Sequence, residues 1–330
     1  MHRSRQSLRA LSRSLATQAT AAPTASTSYA PPLKPGVLPA YDEALAYIAR
    51  DREAKLKQLE QLKQDKQADQ AALEKLEVEA WSNDPETRWR AKHRQGDFSK
   101  PVYRHLAERA WRKEGDLAIL MQRVTQMSVT PDLLPSISPE ADVRIHVAGE
   151  QIVPGVFTQP GQTREGIEVS TQVFHPEERL YTLLLIDPDV PDEVNQTFTT
   201  YAHWLVPNIP LSATSPAVLP LSSLPSTLSY VPPHPQNGTP YHRYTVLLFQ
   251  QSNSSPLVLN EGEVERLGFS TREFVAQHGL EAKGVSFFRQ KWDRSVSDIY
   301  KEVLQLPEPR FGRAPKSDKY ASRPPKYEVI

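Results

Sequence analysis

Six short apolar runs, spaced by turn signals, constrain this chain more than any other feature. VRIHV (143–147), VSTQVF (169–174), YTLLLI (181–186), YAHWLV (201–206), YTVLLF (244–249) and VSFF (285–288) are rich in β-branched and aromatic residues, and Asp-Pro, Asn-Gly and Gly-Gln pairs punctuate them. Runs of that length and punctuation read as strands. The pattern that starts near Val129 therefore predicts a mainly β domain, a sandwich or barrel with long loops. One loop, residues 207–240, holds nine prolines. A connection that long is either functional or held by a partner. The chain has 330 residues, room for one large domain or two smaller ones, and no cysteine. Disulfides, thiol catalysis and cysteine-based zinc sites are excluded, and a reducing or redox-indifferent compartment fits. No apolar run approaches the roughly 20 residues of a membrane helix.

Upstream of the β pattern the chain changes character three times. MHRSRQSLRALSRSLATQA carries Arg3, Arg5, Arg9 and Arg13, and no acid precedes Asp42. On a helix Leu8, Leu11 and Leu15 share one face while Arg5, Arg9 and Arg13 share another. This is the pattern of a mitochondrial presequence; the alternative is a basic tail that touches RNA. The sequons at Asn195, Asn237 and Asn253 then lie off the secretory route that glycosylation needs. Residues 20–39, rich in Ala, Pro, Ser and Thr, read as a cleavage region and linker. Tyr41 to Trp81 is charged and helical, with Leu45, Ile48, Leu59, Leu62, Leu73, Leu76 and Ala80 on a heptad seam broken by Arg52, Lys55, Lys66 and Asp69. As one helix it would be about 58 Å long. It is too polar for a domain core, so it lies on a partner, projects as a strut, or stands solvated on Glu–Lys pairs. Asn83-Asp84-Pro85 ends it.

Residues 88–113 are basic and aromatic. Arg88, Arg90, Lys92, Arg94, Arg104, Arg109, Arg112 and Lys113 interleave with Trp89, Tyr103 and Trp111. Cations neutralise phosphates and rings stack on bases, so the segment is a candidate RNA or partner contact; a basic amphipathic helix with core-facing tryptophans has the same pattern. Between the fifth and sixth runs, Ser270-Thr-Arg-Glu opens a helix with a capping-box signature, and after them Trp292–Leu304 reads as another. The tail from Pro307 has six basic and three acidic residues. It is expected to be extended, with Arg310, Arg313 and Lys316 as further contact candidates. The expected organisation is a presequence and linker start (1–28), a linker with a helical extension (29–127), a β domain (128–304) and a basic Pro-rich tail (305–330). Lys plus Arg and Asp plus Glu each number 39. A neutral chain is a poor general polyanion binder, though local basic segments can still contact phosphates.

The most distinctive chemistry sits in two segments, Tyr181–Pro207 and Tyr230–Phe249. Together they carry Asp187, Asp189, His203, His234, His242 and Tyr244. Brought together, such residues would bind an anion or a metal. Equally, the two aspartates can cap a Pro-containing turn and the histidines can be hydrogen-bonded core residues. The spacing resembles the phosphatidylethanolamine-binding protein family. Asp187-Pro188-Asp189-Val190-Pro191 is followed at the family's separation by His203-Trp204-Leu205-Val206, and Gly238-Thr239-Pro240-Tyr241-His242-Arg243-Tyr244 matches the second signature. FSTREFVAQHGL and FFRQKWDRSVSDIY extend the likeness over about residues 129–303.

That resemblance implies a β-sandwich with peripheral helices, preceded by the helical extension and followed by the extended tail. It also implies a pocket for phosphate-like anions lined by Asp187, Asp189, His203, His242 and Tyr244. Ala202 and Thr200 replace a family His and Glu, while Pro232, His234 and Pro240 stand at glycine positions, so the pocket is expected to be narrowed. The presequence and extension resemble the branch of the family found in the large subunit of the mitochondrial ribosome, where the role is structural. On that expectation the partners are large-subunit proteins of the central protuberance and rRNA. No cofactor, metal, catalytic residue, membrane span or small-molecule substrate is expected. Two other readings stay open. One is a matrix protein binding a phosphorylated ligand or lipid head group. The other, weaker, is a hydrolase with a metal on two histidines and a carboxylate, for which no activated serine, Gly-rich phosphate loop or HExxH is present.

Overall fold

The computed structural model describes residues 28–65, 69–252, 255–259, 262 and 264–312. The expected targeting segment lies outside these residues. The chain divides into two compact units, one up to Ala46 and one from Tyr47. In the first, the Gly36 amide donates to the Asp42 carboxylate at 2.8 Å, beside the first turn of helix α1 (Pro39–Gln64).

The helix expected over 41–81 is two helices. Asp69 takes an extended backbone and its carboxylate accepts from the Ala71 amide, which starts α2 (Gln70–Trp81) afresh. An N-cap aspartate in that conformation cannot also continue the preceding helix. Nor does the later part of α1 project as a strut: Leu59 is buried, and Arg52 lies 4.8 Å over the Trp81 ring while pairing with Asp84 at 2.5 Å. Asp84 also caps α3 (Pro85–Lys92) through the Thr87 amide. Helices α4 (Pro101–Lys113) and α5 (Asp116–Gln126) follow, then the single turn α6 (Val129–Asp132). Trp111 is buried against Phe174, with ring centroids 5.7 Å apart. This ties α4 to the β domain.

The strands are β1 (Asp142–Val147), β2 (Glu150–Gln151), β3 (Glu168–Gln172), β4 (Arg179–Asp192), β5 (Thr197–Leu211), β6 (His242–Gln250) and β7 (Glu281–Gln290). They form two antiparallel sheets, β2-β1-β3 and β5-β4-β6-β7. Val143, Ile145 and Val169 of the small sheet meet Leu183, Leu185, Val246 and Phe288 of the large one in the first core. The other face of the large sheet, with Leu184, Ile186, Leu247 and Phe287, is covered by Leu120 and Val124 of α5, by Leu133 and Ile137, and by Phe274 of α7 (Thr271–His278). A sheet covered on both faces reads as continuous apolar runs and not as alternation, which explains YTLLLI and YTVLLF. Ser270 caps α7 by accepting from the Glu273 amide.

The Pro-rich loop after β5 is held by this chain's own sheet edges. The Leu219 amide donates to Val169 O on β3, and the Leu205 amide of β5 donates to Leu228 O. Both exposed edges thereby gain a partner, a common way to blunt them. Helix α8 (Arg294–Asp298) runs into a π-helical turn, Ile299–Leu304. The chain then straps across the loop, where the Phe311 amide donates to Asn237 O at 2.7 Å. Gly238, at φ +95°, allows the crossing: a Cβ there would stand 1.6 Å from Phe311 O.

Candidate functional site

The paired signatures converge at one end of the large sheet, but they do not build one cluster. The β4–β5 register shifts between Asp187 and Val190, and the two aspartates take different partners. Asp187 is 1% exposed. One carboxylate oxygen accepts from the Asp189 amide at 2.8 Å and the other from His242 Nδ1 at 2.7 Å. His242 Nε2 lies 2.9 Å from Thr239 Oγ1. Asp189 faces Arg243, the residue after His242, and accepts from its amide, its Nε and its terminal nitrogen at 2.6–2.8 Å. Arg243 also pairs with Asp132 at 2.8 Å and donates to Met127 O at 2.7 Å. Asp189 is thus removed from the predicted anion cage. It secures a nearly buried guanidinium that pins the α5–α6 segment to the sandwich, a role Arg243 did not reveal in sequence although it lay inside the His-Arg-Tyr signature.

His203, His234, His242 and Tyr244 do come together, as a packed ring cluster. His203 Nδ1 donates to Val231 O at 2.9 Å and His234 Nδ1 to Pro232 O at 2.7 Å. The His203 and His234 ring centroids are 5.0 Å apart, Tyr201 stands edge-on to both, and Tyr244 stands edge-on to His203. Tyr300, from the π-helical turn, covers His234 at 5.4 Å. Burial holds the His203 ring well below the usual histidine range, with His234 beside it adding to the effect. Burial likewise lowers His234. Removing charge from water disfavours the protonated form, so both rings are neutral at pH 7. At these two positions the anion pocket implied by the resemblance would have neutral rings as donors, weaker than imidazolium. Burial, with the Asp187 carboxylate nearby, pushes the Tyr244 phenol far above its ordinary range. Tyr201 and Tyr300, which seal the cluster, carried no signal in the two signatures. Among the described residues, no group of three or more His, Asp or Glu side chains is placed to hold a metal ion, and no helix is long and apolar enough to cross a membrane.

The basic segment divides along its helices. Arg88, Lys92, Arg94, Arg109 and Lys113 are exposed. Arg90 and Arg112 are exposed but paired with Glu86 and Glu108 one turn earlier. Arg104 leaves the contact set: it is 5% exposed, donates to Phe98 O and Ser99 O, and pairs with Glu74 of α2 at 3.3 Å. Trp111, seven residues on, lies on the same side of α4 and is buried too. Arg310 is exposed on the strap, while Arg313 and Lys316 lie outside the described residues.

Residues 144–289 match the family described as phosphatidylethanolamine-binding protein. The chain is 29% identical over 225 residues to the large ribosomal subunit protein mL38 of Schizosaccharomyces pombe, covering 67% of this chain and 72% of that one. It is 34% identical over 113 residues to the protein CENTRORADIALIS of Antirrhinum majus, covering 34% of this chain and 58% of that one. Among solved structures, a phosphatidylethanolamine-binding protein from Plasmodium vivax aligns at TM-score 0.40 and 19% identity, over 52% of this chain and 97% of that one.

Proposed function

Because its β domain belongs to the phosphatidylethanolamine-binding protein family, and the likeness does not stop at that domain, we propose that this chain is a structural protein of the large subunit of the mitochondrial ribosome. One observation carries the reading. The family match spans 144–289, which is 289 − 144 + 1 = 146 residues, whereas the similarity to the ribosomal protein runs over 225. The likeness therefore includes sequence outside the β domain, and such extensions are how a ribosomal protein reaches its neighbours. The presequence pattern supports delivery to the mitochondrial matrix. Exposed cations on α3 and α4, with Arg310 on the strap, supply rRNA contacts, and the neutral overall charge favours many protein contacts besides, with the central protuberance as the expected site.

The ring cluster supports a scaffold over a ligand-binding protein or an enzyme. His203 and His234 are neutral, buried and already bonded to carbonyls, and His242 is bonded to Asp187. A matrix phosphate or head-group binder is the alternative, and millimolar inorganic phosphate separates the two. The scaffold reading expects an unchanged Tm, whereas a Tm that climbs with the logarithm of phosphate concentration, as linkage requires of a ligand, favours the binder. The direct test is sedimentation of a tagged copy from a mitochondrial lysate, with magnesium and again with EDTA. Comigration with the large subunit under both conditions is expected; a position only at the top of the gradient refutes the proposal.

A further inference from the structure

A second surface, on the β domain and next to the ring cluster in the chain, has the composition of a nucleotide contact. Phe157 and Tyr241 are exposed, at 49% and 38%, with their rings edge to face at 5.9 Å. The Arg289 guanidinium lies 4.1 Å over the Phe157 ring and 5.4 Å from Tyr241, and Lys291 Nζ is 5.2 Å from Phe157. Beside them opens a cavity of about 260 Å³ whose walls include Phe157, Trp292, Lys291 and Gln159. The one carboxylate on its rim, Asp293, accepts from the Ser295 amide and hydroxyl, capping α8.

The patch is also held in place. The segment before it pairs with the end of β7: the Gly155 amide donates to Phe287 O, the Thr158 amide to Arg289 O, and the Arg289 amide to Val156 O, at 2.7–2.9 Å. Arg289 Nε donates to Gly155 O at 2.7 Å, and Trp292 Nε1 to Glu308 at 2.6 Å. Rings ordered before binding cost little further entropy when a ligand arrives.

From this arrangement we propose that Phe157, Tyr241, Arg289, Lys291 and Trp292 form a contact for single-stranded RNA, with an unpaired base entering the cavity beside Phe157 and Trp292. Two cations among exposed rings complement a chain of phosphates carrying stackable bases. A duplex, whose base faces are stacked away, offers the rings nothing. The inference deepens the ribosomal reading by naming RNA as what this face meets, and it rests on that reading only for the RNA's source.

The test uses the full chain and a fluorescein-labelled oligouridylate, with a duplex of equal length as control. The exposed cations of α3 and α4 bind both probes electrostatically, so the difference between probes is the readout. F157A and Y241A should each weaken oligouridylate binding roughly tenfold, the scale of one lost base–ring stack, and leave duplex binding unchanged. K291Q, at an exposed position, should lower the salt slope by about 0.7, one phosphate contact on a single strand. Wild-type oligouridylate affinity in F157A and Y241A overturns the inference. So does F157A losing its place in the ribosomal particle while keeping that affinity, which would make the patch a protein contact. Conversely, if the variants lose oligouridylate while the wild-type chain never sediments with the large subunit, the RNA site stands and the ribosomal reading falls.

Discussion

Removing Asp189 separates a structural carboxylate from an anion-site one. Asp189→Ala deprives three donors of Arg243 of their acceptor: the backbone amide, Nε and the terminal nitrogen at 2.6 Å. The Arg243 and Asp189 side chains are 10% and 17% exposed. Breaking a buried pair by deleting one partner costs about 3–5 kcal/mol. Asp132 remains 2.8 Å from the guanidinium, though 42% exposed. It holds part of the charge, which places the loss near the lower end, about 3 kcal/mol. In a domain of this size each kcal/mol moves Tm by about 2–4 °C, so the drop should be about 6–12 °C. Urea and calorimetric unfolding of the full chain at neutral pH would measure it. D189A/R243M should recover part of the loss, because replacing both buried partners by apolar atoms costs less than stranding one. A D189A variant within about 0.5 kcal/mol of wild type, the range of an inconsequential surface change, would refute the argument and return Asp189 to a functional role.

Three further outcomes are expected. His203 and His234 hold folded-state pKa values below the ordinary 6.5 because they are buried; below that pH the unfolded chain takes up protons the folded chain resists. Stability should be level above pH 6.5 and fall as the pH drops through it, so Tm at pH 5.5 should lie below Tm at pH 7.5, and a rise toward acid would contradict the neutral assignment. R104Q should cost about 2–3 kcal/mol by leaving the Phe98 and Ser99 carbonyls and Glu74 without their buried donor, while R109Q should stay within about 0.5 kcal/mol; equal effects in urea melts would dismiss the division of α4 into inner and outer cations. G238A should lift the strap, because its Cβ collides with Phe311 O; limited trypsin digestion should then cleave at Arg310 much faster while the β domain survives, and unchanged cleavage would show the crossing to be unnecessary.

Where a decision depended on local sequence, it could be read ahead of the structure. Each of the six apolar runs falls on a strand, with only Val173 and Phe174 running past the end of β3, because β-branched and aromatic composition reports a buried sheet whatever its topology. The capping serine of α7 was legible for the same reason. Asp187-Pro188-Asp189 was harder: it reads as a turn, yet β4 continues through it to Asp192 with a shifted register. The helix break at Asp69 was hidden because helical spacing resumes in phase on either side of a polar stretch. The site shows the limit best. Its residues could be named from spacing, but their burial could not: Tyr201, Tyr244 and Tyr300 pack against His203 and His234, whose pKa values burial lowers. Arg104 was lost among exposed cations for a similar reason: its burial depends on Glu74, thirty positions earlier.

The second core has a consequence for biosynthesis. Leu120 and Val124 of α5 share it with Leu247, Phe274, Val285 and Phe287, all made much later. A chain emerging from its amino terminus must hold the apolar face of α5 uncovered until β6, α7 and β7 have followed. Val285 and Phe287 complete that core, and Phe288, from the same strand, completes the other. Neither core can close before β7 is available, so the β domain folds late, through contacts distant in sequence, with the slow closure and exposure to aggregation that such contacts bring. A nascent or newly imported chain of this kind is a natural client for chaperones throughout that interval, and any truncation before Glu281 should remain one.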